Sequence, residues 1–188
     1  MNKITQILII LSIFTLISCG GNSGNQPATA AGFSIIEKEI KSEFGDNAYF
    51  TDISIIYDKT IGNIVTITVT KDPNSLKMGQ WNLTQGVWKQ NSEISLEVPK
   101  GTKAADFMYQ LNDQINLTKL GTYIEQAKKQ LQNEKSLKNP SLSIAAIIFP
   151  KNGDISKTEY SISLKPENGG TTFQFYYTLN GELRKMEY

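Results

Sequence analysis

The feature that most constrains the fold of this 188-residue chain is a series of Asn-Gly turn signals near its C-terminal end. The signals are Asn152-Gly153, Asn168-Gly169-Gly170 and Asn180-Gly181, and each separates two runs of alternating apolar and polar residues. Asn and Gly readily adopt the positive φ angles of tight hairpin turns, so consecutive strands are antiparallel neighbours. The sequence therefore predicts a four-stranded meander. Its strands are expected near residues 141–150, 156–165, 171–179 and 182–187.

The segment after Phe33 has the pattern of one helix followed by more strands. Ser34 and Glu37 have the spacing of a capping box, and Gly45 stands where the helix would end. The apolar residues at helical spacing are Phe33, Ile36, Ile40 and Phe44. Alternation with a period of two, typical of half-buried antiparallel strands, then predicts a second sheet segment. Its strands are expected over Tyr49 to Asp58, Val65 to Thr70, Gly79 to Gln85 and Val87 to Val98.

The middle of the chain is predicted to be helical, with one helix capped by Thr102 and another following Thr118. The first apolar stripe is Phe107, Leu111 and Ile115, and the second is Leu120, Ile124, Ala127 and Leu131. Asn139-Pro140 ends this region. The order of elements predicts an α+β fold of two tandem units, residues 33–100 and 101–188, each a helix with a four-stranded antiparallel meander.

A comparison of the two halves supports a repeat. At an offset of 95 residues, the alternating segments 62–71 and 157–166 coincide, and Gly86 coincides with Gly181. Identities between the halves are few, so chance similarity between two meanders stays open as the alternative.

The first eighteen residues have the form of a secretory signal peptide. Lys3 is followed by an uncharged apolar run from Ile4 to Ile17, which is shorter than the roughly 20 residues that span a bilayer. We therefore expect residues 1–18 to be removed.

The residues Leu16-Ile17-Ser18-Cys19 resemble the lipobox of bacterial lipoproteins, and Cys19 is the only cysteine. This resemblance implies a lipid thioether on Cys19, cleavage before it, and further acylation such as with palmitate. Several acyl chains together anchor a protein durably. The glycine at position 20, rather than an aspartate, implies the outer membrane of the cell envelope, facing the periplasm or the exterior. Residues 20–32, rich in Gly, Asn and Ala, are predicted to form a flexible tether after the lipidated cysteine.

Composition argues against most enzyme chemistry. The chain has no histidine, and its single thiol is predicted to carry lipid, which removes the usual general base and a cysteine nucleophile. No aspartates have the spacing of a calcium loop. We expect no catalytic residues, no metal site and no cofactor, although a hydrolase that uses paired carboxylates stays open.

The balance of charge argues against a polyanionic partner. Removal of residues 1–18 takes away Lys3 and no acidic side chain, so basic and acidic residues become equal in number. Nucleic-acid binding requires a clustered basic surface, and we expect none here.

The ending FYYTLNGELRKMEY, a strand, an Asn-Gly turn and a short final strand, resembles the units of beta-lactamase-inhibitory protein and of the related PepSY-type domains. The resemblance implies a non-catalytic module that binds or restrains another envelope protein or a ligand. A scaffold role in an outer-membrane assembly complex is the alternative, and a carboxylate-based hydrolase is a weaker one.

Three aromatic residues, Trp88, Tyr176 and Trp81, fit the inward alternation least well and are predicted to contact the partner. Aromatic residues are enriched at the centres of interfaces. Most aromatic residues in a small sheet domain nevertheless belong to the core, and that alternative stays open for all three.

Overall fold

The structure is a computed structural model, and it describes residues 23–188. The predicted signal peptide, Cys19 and the first residues of the predicted tether lie outside the described residues.

Two α-helices and eight strands make up the fold. Helix α1 spans Ala30–Phe44 and helix α2 spans Leu117–Lys135. The strands are β1 (Tyr49–Asp58), β2 (Gly62–Thr70), β3 (Lys77–Thr84), β4 (Val87–Ser95), β5 (Ser141–Ile148), β6 (Glu159–Lys165), β7 (Phe173–Thr178) and β8 (Leu183–Glu187).

The eight strands form one sheet in the order β4-β3-β2-β1-β5-β6-β7-β8, and all neighbouring pairs are antiparallel. The predicted α+β class is confirmed, as are antiparallel neighbours on either side of Asn152-Gly153 and Asn180-Gly181. The two sets of four strands are continuous with each other, because β1 pairs with β5 at the centre. One wide sheet therefore dominates the molecule, where the sequence predicted two tandem units.

Both helices pack on the same face of this sheet. Phe33, Ile36 and Ile40 of α1 are fully buried together with inward-facing strand residues such as Ile53 and Ile67. Helix α2 contributes Tyr123, which stacks on Tyr177 of β7 with ring centroids 5.0 Å apart. Its ring also meets Tyr160 of β6 edge to face at 5.2 Å. Helix α1 thus covers the β1 to β4 half and α2 covers the β5 to β8 half.

The buried tyrosines of this core are held in their neutral form. Desolvation raises the pKa of Tyr160 and of Tyr177 to about 12. The Tyr160 hydroxyl accepts a hydrogen bond of 3.1 Å from the Asn116 amide, just before α2 begins. The ring therefore connects the sheet to the start of the helix.

The prediction of a helix from Thr102 to Ile115 is wrong. In this part of the described chain only Ala104–Phe107 form a short 3-10 turn. Tyr109 then runs beside β1, exchanging two backbone hydrogen bonds of 2.7 and 2.9 Å with Phe50. The carboxamide oxygen of Asn112 accepts from the amides of Gln114 and Ile115 in a turn that competes with a helix.

The start of each helix also differs from the prediction. The Thr29 hydroxyl caps α1 by accepting from the Gly32 amide, so Ser34 lies inside the helix and not at its cap. Helix α2 is capped by the Asn116 side chain, which accepts from the Lys119 amide at 2.8 Å, rather than by Thr118. In both cases the cap residue lies before the first buried apolar residue.

The structure shows residues from Ser23 onward in contact with the folded part, where the sequence predicted a tether that ends at residue 32. Ser23–Asn25 form a 3-10 turn, and the Asn63 side chain of β2 donates a hydrogen bond of 2.7 Å to the Gln26 carbonyl. Gly24 and Gly32 are buried. This segment is held by the end of the sheet before α1 begins.

Candidate binding surface

The sheet face opposite the helices forms a broad surface, which we call the open face. Its central row consists of outward-pointing side chains that lie side by side on six neighbouring strands, from β3 to β7. The row is Asn82, Thr66, Ser54, Ala146, Ser161 and Tyr176. Among the described residues, a small cluster that includes Met78, Ala104 and Met108 covers one corner of this face. The row is uncharged, and apart from Tyr176 its side chains are small or of medium size, with Ser161 buried. Few large side chains therefore separate an approaching protein from the sheet.

An apolar strip lies beside this row at the centre of the sheet. Ile56 of β1 pairs with Ile64 of β2 on one side and with Ile144 of β5 on the other. Ile56 is 40% exposed, and Ile148 further along β5 is 42% exposed. Scattered exposed isoleucines are ordinary, but three side by side on one sheet face form a contiguous apolar patch. Interface centres have this character, with apolar area and few charges.

Tyr176 marks the β8 side of the open face. Its half-buried ring, together with Glu159, Arg184 and Lys185, lines a recess of ≈ 130 Å³. Arg184 forms an ion pair with Glu159 across this recess. The arrangement combines an aromatic ring with two exposed basic side chains and the largely covered Glu159 carboxylate, which is typical of the transition from the centre to the rim of an interface.

The two tryptophans lie on the opposite side of the sheet, with the helices. Both rings meet Phe44 at the end of α1 edge to face, Trp81 with ring centroids 5.4 Å apart and Trp88 at 5.0 Å. Both are half-buried against the main core. The structure therefore does not bring Trp81 and Trp88 together with Tyr176, and their contact with a partner stays a prediction.

Local packing fixes the positions of the two indole rings. A side chain at Gly79 would place its Cβ 2.4 Å from Nε1 of Trp81, so the ring lies directly over the glycine backbone. Nε1 of Trp88 is buried without a hydrogen-bond partner among the described residues. A buried orphan donor costs free energy, which the edge-to-face contact with Phe44 offsets in part.

The sequence pattern pointed to Tyr176 but did not single out the isoleucine strip. Outward positions on β1, β2 and β5 carry Ile56, Ile64 and Ile144, and each is followed in the chain by a hydrophobic residue on the inward side. Only the register of the central strands shows that the three are adjacent. The sequence signal that could have indicated this strip is an apolar residue at an outward strand position, where the alternation predicts a polar one.

Within residues 23–188, no group of three acidic or cysteine side chains is arranged to hold a metal ion. Among the same residues, no helix is long and apolar enough to cross a bilayer. Cys19, the predicted site of lipid attachment, lies outside this part of the chain.

Comparisons with known proteins place the fold but not the family. No protein-family model matches the sequence, and no curated protein matches it. A crystal structure from Clostridium difficile 630, of a protein described provisionally as a lipoprotein, is similar with a TM-score of 0.51 and 14% identity. The similarity covers 82% of this chain and 91% of that chain. At this identity the two proteins share a fold, and the comparison establishes nothing further.

Proposed function

We propose that this chain is a lipoprotein of the bacterial cell envelope that binds another envelope protein through the open face and performs no catalysis. The observation that carries the proposal is the open face itself, a sheet surface with a continuous uncharged row and an adjacent isoleucine strip. The opposite face is already occupied by α1 and α2.

The chemistry of the open face favours a folded protein as the partner. Its centre offers apolar side chains and small hydroxyl groups, and its β8 side offers Tyr176 beside the ion pair of Arg184 with Glu159. Protein interfaces have an apolar centre and a polar rim, and a few residues, often Trp, Tyr or Arg, contribute most of the affinity. A flat surface of this kind does not enclose a small molecule, since small-molecule sites are concave.

The lipid anchor is supported by the lipobox at Leu16 to Cys19 and by the signal peptide that precedes it. The provisional description of the Clostridium difficile protein as a lipoprotein supports the same conclusion. Gly20 favours the outer membrane as the final location. Anchored in this way, the folded part is presented to other proteins of the envelope.

Site-specific photo-crosslinking in intact cells tests the proposal. A photoreactive amino acid is placed at Ser54 or Thr66 on the open face, and in control chains at Lys38 or Gln126 on the solvent side of the two helices. We expect one defined protein adduct from both open-face positions and not from the helix positions. The same adduct from all four positions, or none from the open face, would remove this surface from the proposal. The identity of the adduct distinguishes an inhibited enzyme from a subunit of an assembly complex.

A further inference from the structure

A cleft of ≈ 560 Å³ opens at the end of the sheet where β1 stops and β5 begins. It lies between α2 and the segment that leads into α1, on the helix side of the sheet. Pro27, Tyr57, Pro140 and Leu142 give it apolar walls, and its polar groups include Lys59 and Lys128. Small-molecule sites typically enclose about 300 to 1,000 Å³ and combine apolar walls with a few polar groups.

Lys128 is the distinctive group in this cleft. Its side chain is half-buried on α2, and within residues 23–188 it forms no ion pair or hydrogen bond. Burial lowers the pKa of Lys128, and the nearby Glu125 opposes this effect only in part. A partly desolvated ammonium without a partner is an unfavourable arrangement that an anion would relieve.

The side chains that line the cleft include two lysines, Lys59 and Lys128, and one carboxylate, Glu167, so the lining has a small excess of positive charge, which favours an anion. Lys165 lines an adjoining recess of ≈ 330 Å³ that shares Tyr57 and Leu142. The acidic groups are Glu167, which lines the cleft, Glu125 near Lys128, and Asp58, which lines the adjoining recess. The Asp58 carboxylate is engaged with the Thr60 and Ile61 amides at 2.7 and 3.0 Å.

We propose that this cleft binds a small organic carboxylate, with its charged group at Lys128 and Lys59 and its aromatic or aliphatic part against Tyr57 and Leu142. A charge-assisted hydrogen bond to an ammonium is about twice as strong as a neutral one. Burial of a carbon skeleton against the apolar walls is also favourable, because it removes apolar surface from water. The site lies on the helix side of the sheet and is independent of the open face, so it adds a ligand to a protein-binding module.

The test uses the full membrane-attached chain in phosphatidylcholine nanodiscs, with empty nanodiscs as the blank. Fluorine NMR measures binding of 4-(4-fluorophenyl)butyrate and of its neutral amide, which has the same shape without the charge. We expect the carboxylate to bind about tenfold more tightly than the amide, the difference that one charged hydrogen bond supplies. Lys128→Met should remove this preference, while Lys128→Arg keeps it because the positive charge remains.

Lys129→Met is the matched control, since Lys129 is the next residue of α2 and is exposed outside the cleft. Circular dichroism confirms that each variant retains the native fold. Equal binding of the acid and the amide, equal loss in Lys128→Met and Lys129→Met, or no binding at millimolar concentrations would overturn the proposal.

Discussion

At the scale of single residues, aromatic side chains have different environments on the two faces of the sheet. Trp88 is held against Phe44 and the core, whereas Tyr176 lies among charged residues on the open face. Trp88 packs on the main core, whereas Ile94 of the same strand packs on the cluster on the open face, so the alternation of β4 is interrupted between them. The register of β3 with β4 skips Asn91, and this bulge changes which face the side chains of β4 point to. Tyr176 keeps the regular alternation of β7 and lies at one of its outward positions.

Alanine substitution distinguishes these two environments. We expect Trp88→Ala to lower the free energy of unfolding by about 3 kcal/mol, because it leaves a cavity beside Phe44. Tyr176→Ala should lower it by about 1 kcal/mol or less, as is usual for surface positions. Urea denaturation measures both values. Similar large losses in the two variants would assign Tyr176 to the core and not to a contact surface.

At the scale of secondary-structure elements, the strands were predictable and the connection between the halves was not. The strands were predicted from alternating patterns and from nearby turn signals, and both are local properties of the sequence. Residues 104–115 have apolar residues at helical spacing, but the long-range pairing of Tyr109 with Phe50 and the turn at Asn112 override that pattern. Contacts with residues distant in sequence leave no periodic signal.

The packing of α2 against the start of α1 depends on Gly121. A Cβ at this buried position would lie 2.4 Å from the Thr29 carbonyl oxygen, which is backbone and cannot move aside without disturbing the helix cap. Alanine favours a helix over glycine by about 1 kcal/mol, so without this contact Gly121→Ala would be stabilising. We expect instead a loss of about 1 to 3 kcal/mol from overpacking.

Urea denaturation of Gly121→Ala measures this effect, with Gln126→Ala at an exposed position of α2 as the control. An unchanged or increased free energy of unfolding in Gly121→Ala would show that the two helices can separate at little cost.

At the scale of the whole molecule, the sequence predicted the fold class better than the surface that we propose to bind a partner. Alternation shows which residues of a strand share a face, but it does not show which strands are adjacent across the centre. The pairing of β1 with β5 decides that Ile56 and Ile144 are neighbours, although they are far apart in the chain. The cleft at Lys128 likewise combines residues from five separate segments, which no single motif connects.

The anchor is tested by Cys19→Ala, since only a cysteine can form the lipid thioether. We expect this variant to stay an unlipidated precursor and to leave the detergent phase on partitioning, while the wild-type chain stays in it. Intact-mass measurement provides the control for processing. A mature wild-type mass without an acyl increment would refute the lipoprotein assignment.

The central claim is that the open face binds the partner, and the affinity of the partner identified by crosslinking tests it most directly. Ile56→Lys places a charge at the centre of the face, and Ile35→Lys on α1 is its control because Ile56 is 40% exposed and Ile35 is 38% exposed. We predict that Ile56→Lys weakens binding at least about tenfold, as expected of a central interface residue, and that Ile35→Lys leaves the affinity unchanged. Equal affinities for the wild type and Ile56→Lys, with the native fold retained, would contradict the account.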